Sequence, residues 1–152
     1  MEFEALIRQR EALRQADKRL VLTNGHFDLL HIGHLDYLEK ARALGDALFV
    51  AVNDDAATRR LKGPGRPIVP AVERVRLLAA LKPVTAALIF EGDTAVAVLE
   101  ALQPDIYVKG GDYADKPLPE RSLVERYGGQ VVLIDYLPDH STSALIQRIN
   151  QL

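Results

Sequence analysis

Apolar residues fall along this chain in two alternating patterns, one helical and one extended. Phe3, Leu6, Ile7 and Leu13 recur at helical spacing and predict an amphipathic helix over residues 2–15. Leu20-Val21-Leu22 then reads as a short buried strand running into Thr23-Asn24-Gly25. Helical period returns at Leu35, Leu38, Ala41 and Leu44, and the unbroken run ALFVAV over 47–52 predicts a strand covered on both faces. Asn53-Asp54-Asp55 closes that strand, and either aspartate is placed to cap a short helix leading to Leu61. Lys62-Gly63-Pro64-Gly65-Arg66-Pro67 is a loop by composition. Beyond Pro70 the pattern predicts a helix ending near Pro83, a strand over 86–90, a helix over 94–102 and a strand over 106–108 that breaks off at Gly110-Gly111. A weaker helix over 119–127, a strand over 131–134 and a closing helix over 141–149 follow. About five strands alternating with helices predict an α/β fold: a mainly parallel, doubly wound, five-stranded sheet with helices on both faces. Residues 1–152 are expected to form a single domain, with 1–17 as an N-terminal helix and 18–149 as the core.

Composition changes the picture mainly by exclusion. Of 152 residues 48% are apolar, and a chain of this length buries roughly 70% of its unfolded surface, enough for a core without staples. The absence of cysteine excludes disulfide frameworks, cysteine zinc sites, iron–sulfur clusters and thiol nucleophiles. Nineteen Lys and Arg against 21 Asp and Glu leave a net charge of −2, which argues against a dedicated nucleic-acid binder. No apolar run approaches the roughly 18 residues that span a bilayer. The start Met-Glu-Phe-Glu lacks the basic and apolar segments of a signal peptide, so a cytoplasmic location without membrane partners is expected.

In sheets of this kind ligands bind beyond the carboxyl ends of the strands, and the chemically informative residues gather there. The first strand is followed by Gly25-His26-Phe27-Asp28-Leu29-Leu30-His31-Ile32-Gly33-His34, which holds three of the chain's 4 histidines. Asn53-Asp54-Asp55 follows the second strand, Lys109-Gly110-Gly111-Asp112 the fourth and His140-Ser141-Thr142-Ser143 the fifth. His31 and His34 share a face at the start of a helix, and Gly33 leaves the backbone free to approach a ligand. Unpaired N–H groups and the positive dipole end at such a start favour phosphate. The same spacing suits two ordinary histidines or two zinc ligands, although the glutamate of the metalloprotease motif and a completing cluster are missing. Ser141, Thr142 and Ser143 are fit to cap the closing helix, to hold phosphate oxygens, or both. Lys62 reads either as a solvated loop lysine or as a cation able to close over phosphates. Asp28 is expected to brace its loop by hydrogen bonds.

Gly25-His26-Phe27-Asp28 followed by His31-Ile32-Gly33-His34 resembles the signature of the cytidylyltransferase-like nucleotidyltransferases, the HxGH family. Lys62-Gly63 with Arg66-Pro67, the Glu73-Arg74 pair, Val108-Lys109-Gly110-Gly111-Asp112-Tyr113 and Ser141-Thr142-Ser143 fall where that family has further blocks. The resemblance runs from Lys18 to Ile149 and implies a Rossmann-like fold. Within the family it is nearest to the bacterial heptose 1-phosphate adenylyltransferases, through Thr23-Asn24-Gly25, Arg60-Leu61-Lys62-Gly63 and Val108 to Tyr113. The implied reaction is ATP plus a sugar 1-phosphate giving ADP-sugar and pyrophosphate by direct in-line attack. The resemblance implies catalytic roles for His31, His34 and Lys62. It places the nucleotide against Thr23, Asn24, Gly25, His26, Phe27, Gly33, Lys109, Gly110, Gly111, Asp112, Ser141, Thr142 and Ser143, with the role of His26 open. Asn53, Asp54, Arg66 and Arg74 are expected to meet the second substrate. Mg²⁺ is expected to arrive with ATP, held by phosphate oxygens and water rather than by a protein cage. A homodimer is expected, and a separate sugar kinase to supply the 1-phosphate.

A CTP-dependent glycerol-phosphate or ethanolamine-phosphate cytidylyltransferase is the alternative. Gly111 stands where those enzymes usually carry an acidic residue, and Pro138-Asp139-His140 where they have an Arg-Thr pair. A non-catalytic nucleotide-binding module would not need the intact His pair. A dinucleotide-binding oxidoreductase would need the GxGxxG turn that the first strand lacks.

Overall fold

Five parallel strands in the order β3-β2-β1-β4-β5 form the single sheet of the computed structural model, which describes residues 2–152. They are β1 (Leu20–Gly25), β2 (Ala47–Asn53), β3 (Ala86–Phe90), β4 (Ile106–Gly110) and β5 (Gln130–Ile134). The helices are α1 (Phe3–Gln15), α2 (Ile32–Arg42), α3 (Asp55–Lys62), α4 (Ala71–Ala79), α5 (Val96–Leu102), α6 (Arg121–Arg126) and α7 (Thr142–Asn150). Winding runs from β1 outward to β3, then crosses back to β4, so the topology reverses between β1 and β4. The expected doubly wound, Rossmann-like architecture is present, and every strand pair is parallel.

Strand character explains the order. All seven residues of β2 are buried, as its unbroken apolar run requires of a strand covered on both faces. Alternate residues of the sheet feed two cores. Leu20, Leu22, Phe49, Leu88 and Tyr107 pack with Leu6 of α1, Leu99 of α5 and Val124 of α6. Val21, Leu48, Val50 and Val108 pack with Leu38 of α2 and Leu78 of α4. The lead-in helix α1 is pinned by an unexpected buried arginine: Arg10 donates to the carbonyls of Leu102 and Gln103 at 2.9 and 2.8 Å. It thereby satisfies carbonyls that the end of α5 would leave unpaired.

Three boundaries differ from the sequence reading. Helix α3 runs through Lys62, because Asp54 caps its start and the left-handed Gly63 (φ 101°) ends it one residue after the lysine. Strand β4 continues through Lys109 and Gly110, which pair with Leu133 and Ile134 of β5. Residues Gly111–Ala114 form a short 3-10 turn. Among the described residues no helix is long and apolar enough to cross a membrane.

Candidate active site

The topological reversal leaves a crevice beyond the carboxyl ends of β1 and β4, and the main cavity of about 690 Å³ lies there. Its floor is the turn from β1 into α2. His31 caps α2: its Nδ1 accepts the Gly33 N–H at 3.0 Å, while the His31 N–H donates to Nδ1 of His34 at 3.2 Å. The two rings lie 3.9 Å apart between centroids. Gly33 is required by this fold-back, since a Cβ there would stand 2.8 Å from His31 Cε1 and 3.1 Å from His140 Cβ.

Both imidazoles are held neutral. Burial, with His31 beside it, pushes His34 down to about 4, and burial together with His140 lowers His31. A neutral ring that accepts at Nδ1 carries its proton on Nε2. The site therefore presents two N–H donors without a buried positive charge. His26 is also pushed down to about 4, by burial and then by the charges of Lys62, Arg74 and Lys109, and its Nδ1 pairs with Thr58 Oγ1 at 2.9 Å. Lys62 and Lys109 line the cleft and Arg74 lies beneath the turn, so three cations surround this imidazole.

The turn itself is strained and clamped. Phe27 and Leu29 have φ of 52° and 48°, left-handed values unusual for such side chains. Between them Asp28 accepts the Ile68 and Val69 N–H groups at 2.8 and 2.9 Å, and its carbonyl accepts from Thr142 Oγ1 at 2.5 Å. Arg74, 1% exposed, donates to the carbonyls of His26 at 2.6 Å and Val69 at 2.8 Å and pairs with Asp55 at 2.8 Å. Across the cleft Ser141 caps α7 by accepting the Ala144 N–H at 3.0 Å, so a second helix start opens on the same space.

The fourth strand supplies the remaining wall. Asn24 Oδ1 accepts from Tyr107 and, at 3.5 Å, faces Lys109 Nζ, whose own pKa is lowered by burial. Gly110 and Gly111 are glycines for packing reasons. A Cβ on the first would strike the Tyr136 hydroxyl, and on the second the Asp135 carboxylate.

Most of the sequence-selected residues meet in this cleft: His31, His34 and Lys62; Asn24, Gly25, His26, Phe27 and Gly33; Lys109, Gly110 and Asp112; Ser141, Thr142 and Ser143; Asn53 and Arg66. Lys62 is exposed there at the end of α3. Four residues lie elsewhere. Thr23 is fully buried, with its hydroxyl donating to Val108 O at 2.9 Å and paired with Tyr37 at 2.8 Å. Asp54 is spent on capping, 3.2 Å from the Ala57 N–H. Gly111 is packed against Asp135 outside the lining, and Arg74 lies beneath the turn as a brace.

The lining adds Tyr37, Thr58, Tyr113, Glu120, Tyr136 and His140. Tyr136 stacks on Tyr37 with centroids 5.6 Å apart. The adjacent glycines at 110 and 111 were the one sequence signal that something large covers the end of β4. Among the described residues no group of three His, Asp or Glu could hold a metal ion, and both Asp28 oxygens are engaged.

Comparison with known proteins matches residues 22–148 to the cytidylyltransferase-like family. The chain is 47% identical to the bifunctional protein HldE of Syntrophotalea carbinolica, over 98% of this chain and 32% of that protein. It is 47% identical to the bifunctional protein HldE of Geotalea uraniireducens, over 97% of this chain and 30% of that one. The chain thus spans about a third of the length of these curated relatives. A crystal structure of the lipopolysaccharide core biosynthesis protein from Thermoplasma volcanium GSS1 superposes with a TM-score of 0.65 at 29% identity, covering 79% of this chain and 97% of that one.

Proposed function

The chain belongs to the cytidylyltransferase-like family, and on that premise we propose that it is a cytoplasmic nucleotidyltransferase moving AMP from ATP to a sugar 1-phosphate, with release of pyrophosphate. Heptose 1-phosphate is the proposed acceptor. That choice rests on the stretch Val108 to Tyr113 and on similarity to a lipopolysaccharide core biosynthesis protein. A sugar kinase would supply the acceptor.

The observation that carries the reading is the neutral His31–His34 pair, its Nδ1 atoms tied to backbone and its Nε2 protons unpartnered among the described residues, facing the start of α7 across one cleft. Two donors fixed in place before the reaction suit charge that develops on phosphoryl oxygens and need no reorganisation to meet it. A phosphate oxygen of the sugar 1-phosphate attacks the α-phosphorus of ATP, the bond from that phosphorus to the α–β bridging oxygen breaks, and pyrophosphate departs. The attacking oxygen is already anionic, so no general base is required. His31 and His34 hold the transferring group, while Lys62 and the hydroxyls of Ser141 and Ser143 steady the departing phosphates. Mg²⁺ belongs to the nucleotide here, because the described residues offer no cage for it; when bound it neutralises phosphate charge.

A substrate panel tests this. Pyrophosphate release should be fastest with ATP and heptose 1-phosphate. Faster turnover with CTP and glycerol 3-phosphate would replace the proposed substrates.

A further inference from the structure

Glu120 is 7% exposed, and it lines the cleft. It stands at the start of α6 but makes no capping hydrogen bond, and among the described residues its carboxylate has neither a hydrogen-bond donor nor an ion-pair partner. Neither carboxylate oxygen is among the fully buried, unpartnered polar atoms of the described residues, so the group meets solvent within the cleft and offers a free acceptor there. Its neighbours Lys109, Tyr107 and Tyr113 feel its charge, which places it on the β4 side of the cleft, away from the start of α2.

The cleft is therefore divided chemically. One side carries neutral N–H and O–H donors at the starts of α2 and α7, the other a carboxylate that accepts and does not donate. A carboxylate oxygen cannot donate to a phosphate oxygen, so Glu120 itself can serve only a donor group. A metal ion is a poor occupant beside the Lys109 ammonium, and no cluster of three ligands forms among the described residues.

We propose that Glu120 is a specificity-determining residue that accepts a hydrogen bond from an uncharged N–H or O–H group on the non-phosphate part of a substrate. The donor is an exocyclic amine of the nucleobase or a hydroxyl of ribose or the acceptor sugar. The proposal rests on the nucleotide-transfer reading above and refines it. A substrate lacking that donor would leave a buried acceptor unpaired, a strong basis for discrimination.

The test pairs Glu120→Gln with trimmed substrates. Calorimetric titration of wild type and variant would use ATP, purine riboside triphosphate, 2′-deoxy-ATP and 3′-deoxy-ATP, and KM would be measured for heptose 1-phosphate. The expected result is a loss of about tenfold or more in the variant for one substrate. Wild type should lose a similar factor when the responsible group is removed from that substrate, and the variant should lose little further. The substrate showing this pattern identifies the source of the donor. Unchanged affinities and KM in the variant would overturn the proposal, as would an equal loss for every ligand. Tight binding of ATP to wild type without pyrophosphate release would defeat the transfer reading alone, leaving the Glu120 comparison intact.

Discussion

Two regions around the cleft are built to opposite standards of rigidity. The turn between β1 and α2 is fixed at every point: His31 and His34 by backbone N–H groups, Asp28 by Ile68 and Val69, and His26 by Arg74. The end of α3 and the following segment are loose by comparison. Lys62 is exposed and, among the described residues, makes no hydrogen bond through its ammonium, and glycines with φ of 101° and 90° follow at 63 and 65. On the proposed reaction, the groups assigned to the transition state are over-determined, and the cation assigned to the entering and leaving phosphates is not. Precise placement and adaptability are thus assigned to different parts of one site.

Replacing His34 by alanine strikes the fixed region directly. Turnover should fall about a hundredfold or more, the scale of losing one preorganised donor, in a pyrophosphate-release assay. Unchanged turnover would remove the His pair from the chemistry.

Arg74→Met tests whether the turn is held from below. It strips donors from the carbonyls of His26 and Val69, and should cost about 2–4 kcal/mol in urea denaturation, with kcat falling more than KM rises. A stable variant of normal activity would show that the turn keeps its shape without the brace.

Lys62→Ala probes the loose region. A loss of about tenfold in kcat/KM is expected, with stability within about 0.5 kcal/mol of wild type. A large stability loss would place Lys62 in the fixed region instead.

The last test is stability against pH. His26 and His34 sit near 4 in the folded protein, below their ordinary 6.5. Between those values the unfolded chain takes up protons that the folded one refuses, so their contribution is complete above 6.5 and is lost as pH falls through about 4. The melting temperature should be level above 6.5 and fall progressively toward 4 on this account. In His34→Gln the fall should be shallower.

Sheet and site differed in how plainly they could be read. Continuous apolar runs reveal buried strands, so β2 and β3 were legible to within a residue of their ends. The gathering of histidines after β1 was equally plain, because polar residues directly after a parallel strand have one crevice to occupy. Arg74 was misplaced for the same reason: an arginine near candidate phosphate-binding residues suggests a ligand, yet its three acceptors come from positions 26, 55 and 69, which only the folded chain assembles. Thr23 was misread because strand alternation turned it into the core, where Tyr37 and Val108 engage it. Tyr136 and Glu120 carry no local motif. They enter the cleft from segments after β4 and β5, through packing that spacing does not encode.

The hydrogen bond from Thr142 to the Asp28 carbonyl joins residues 114 positions apart, and α7, which carries it, has no buried residue of its own. The contact that seals the floor of the cleft thus depends on the element with least hold on the core. Heating would release α7 before it melts the sheet, and the protein would fall silent while still folded.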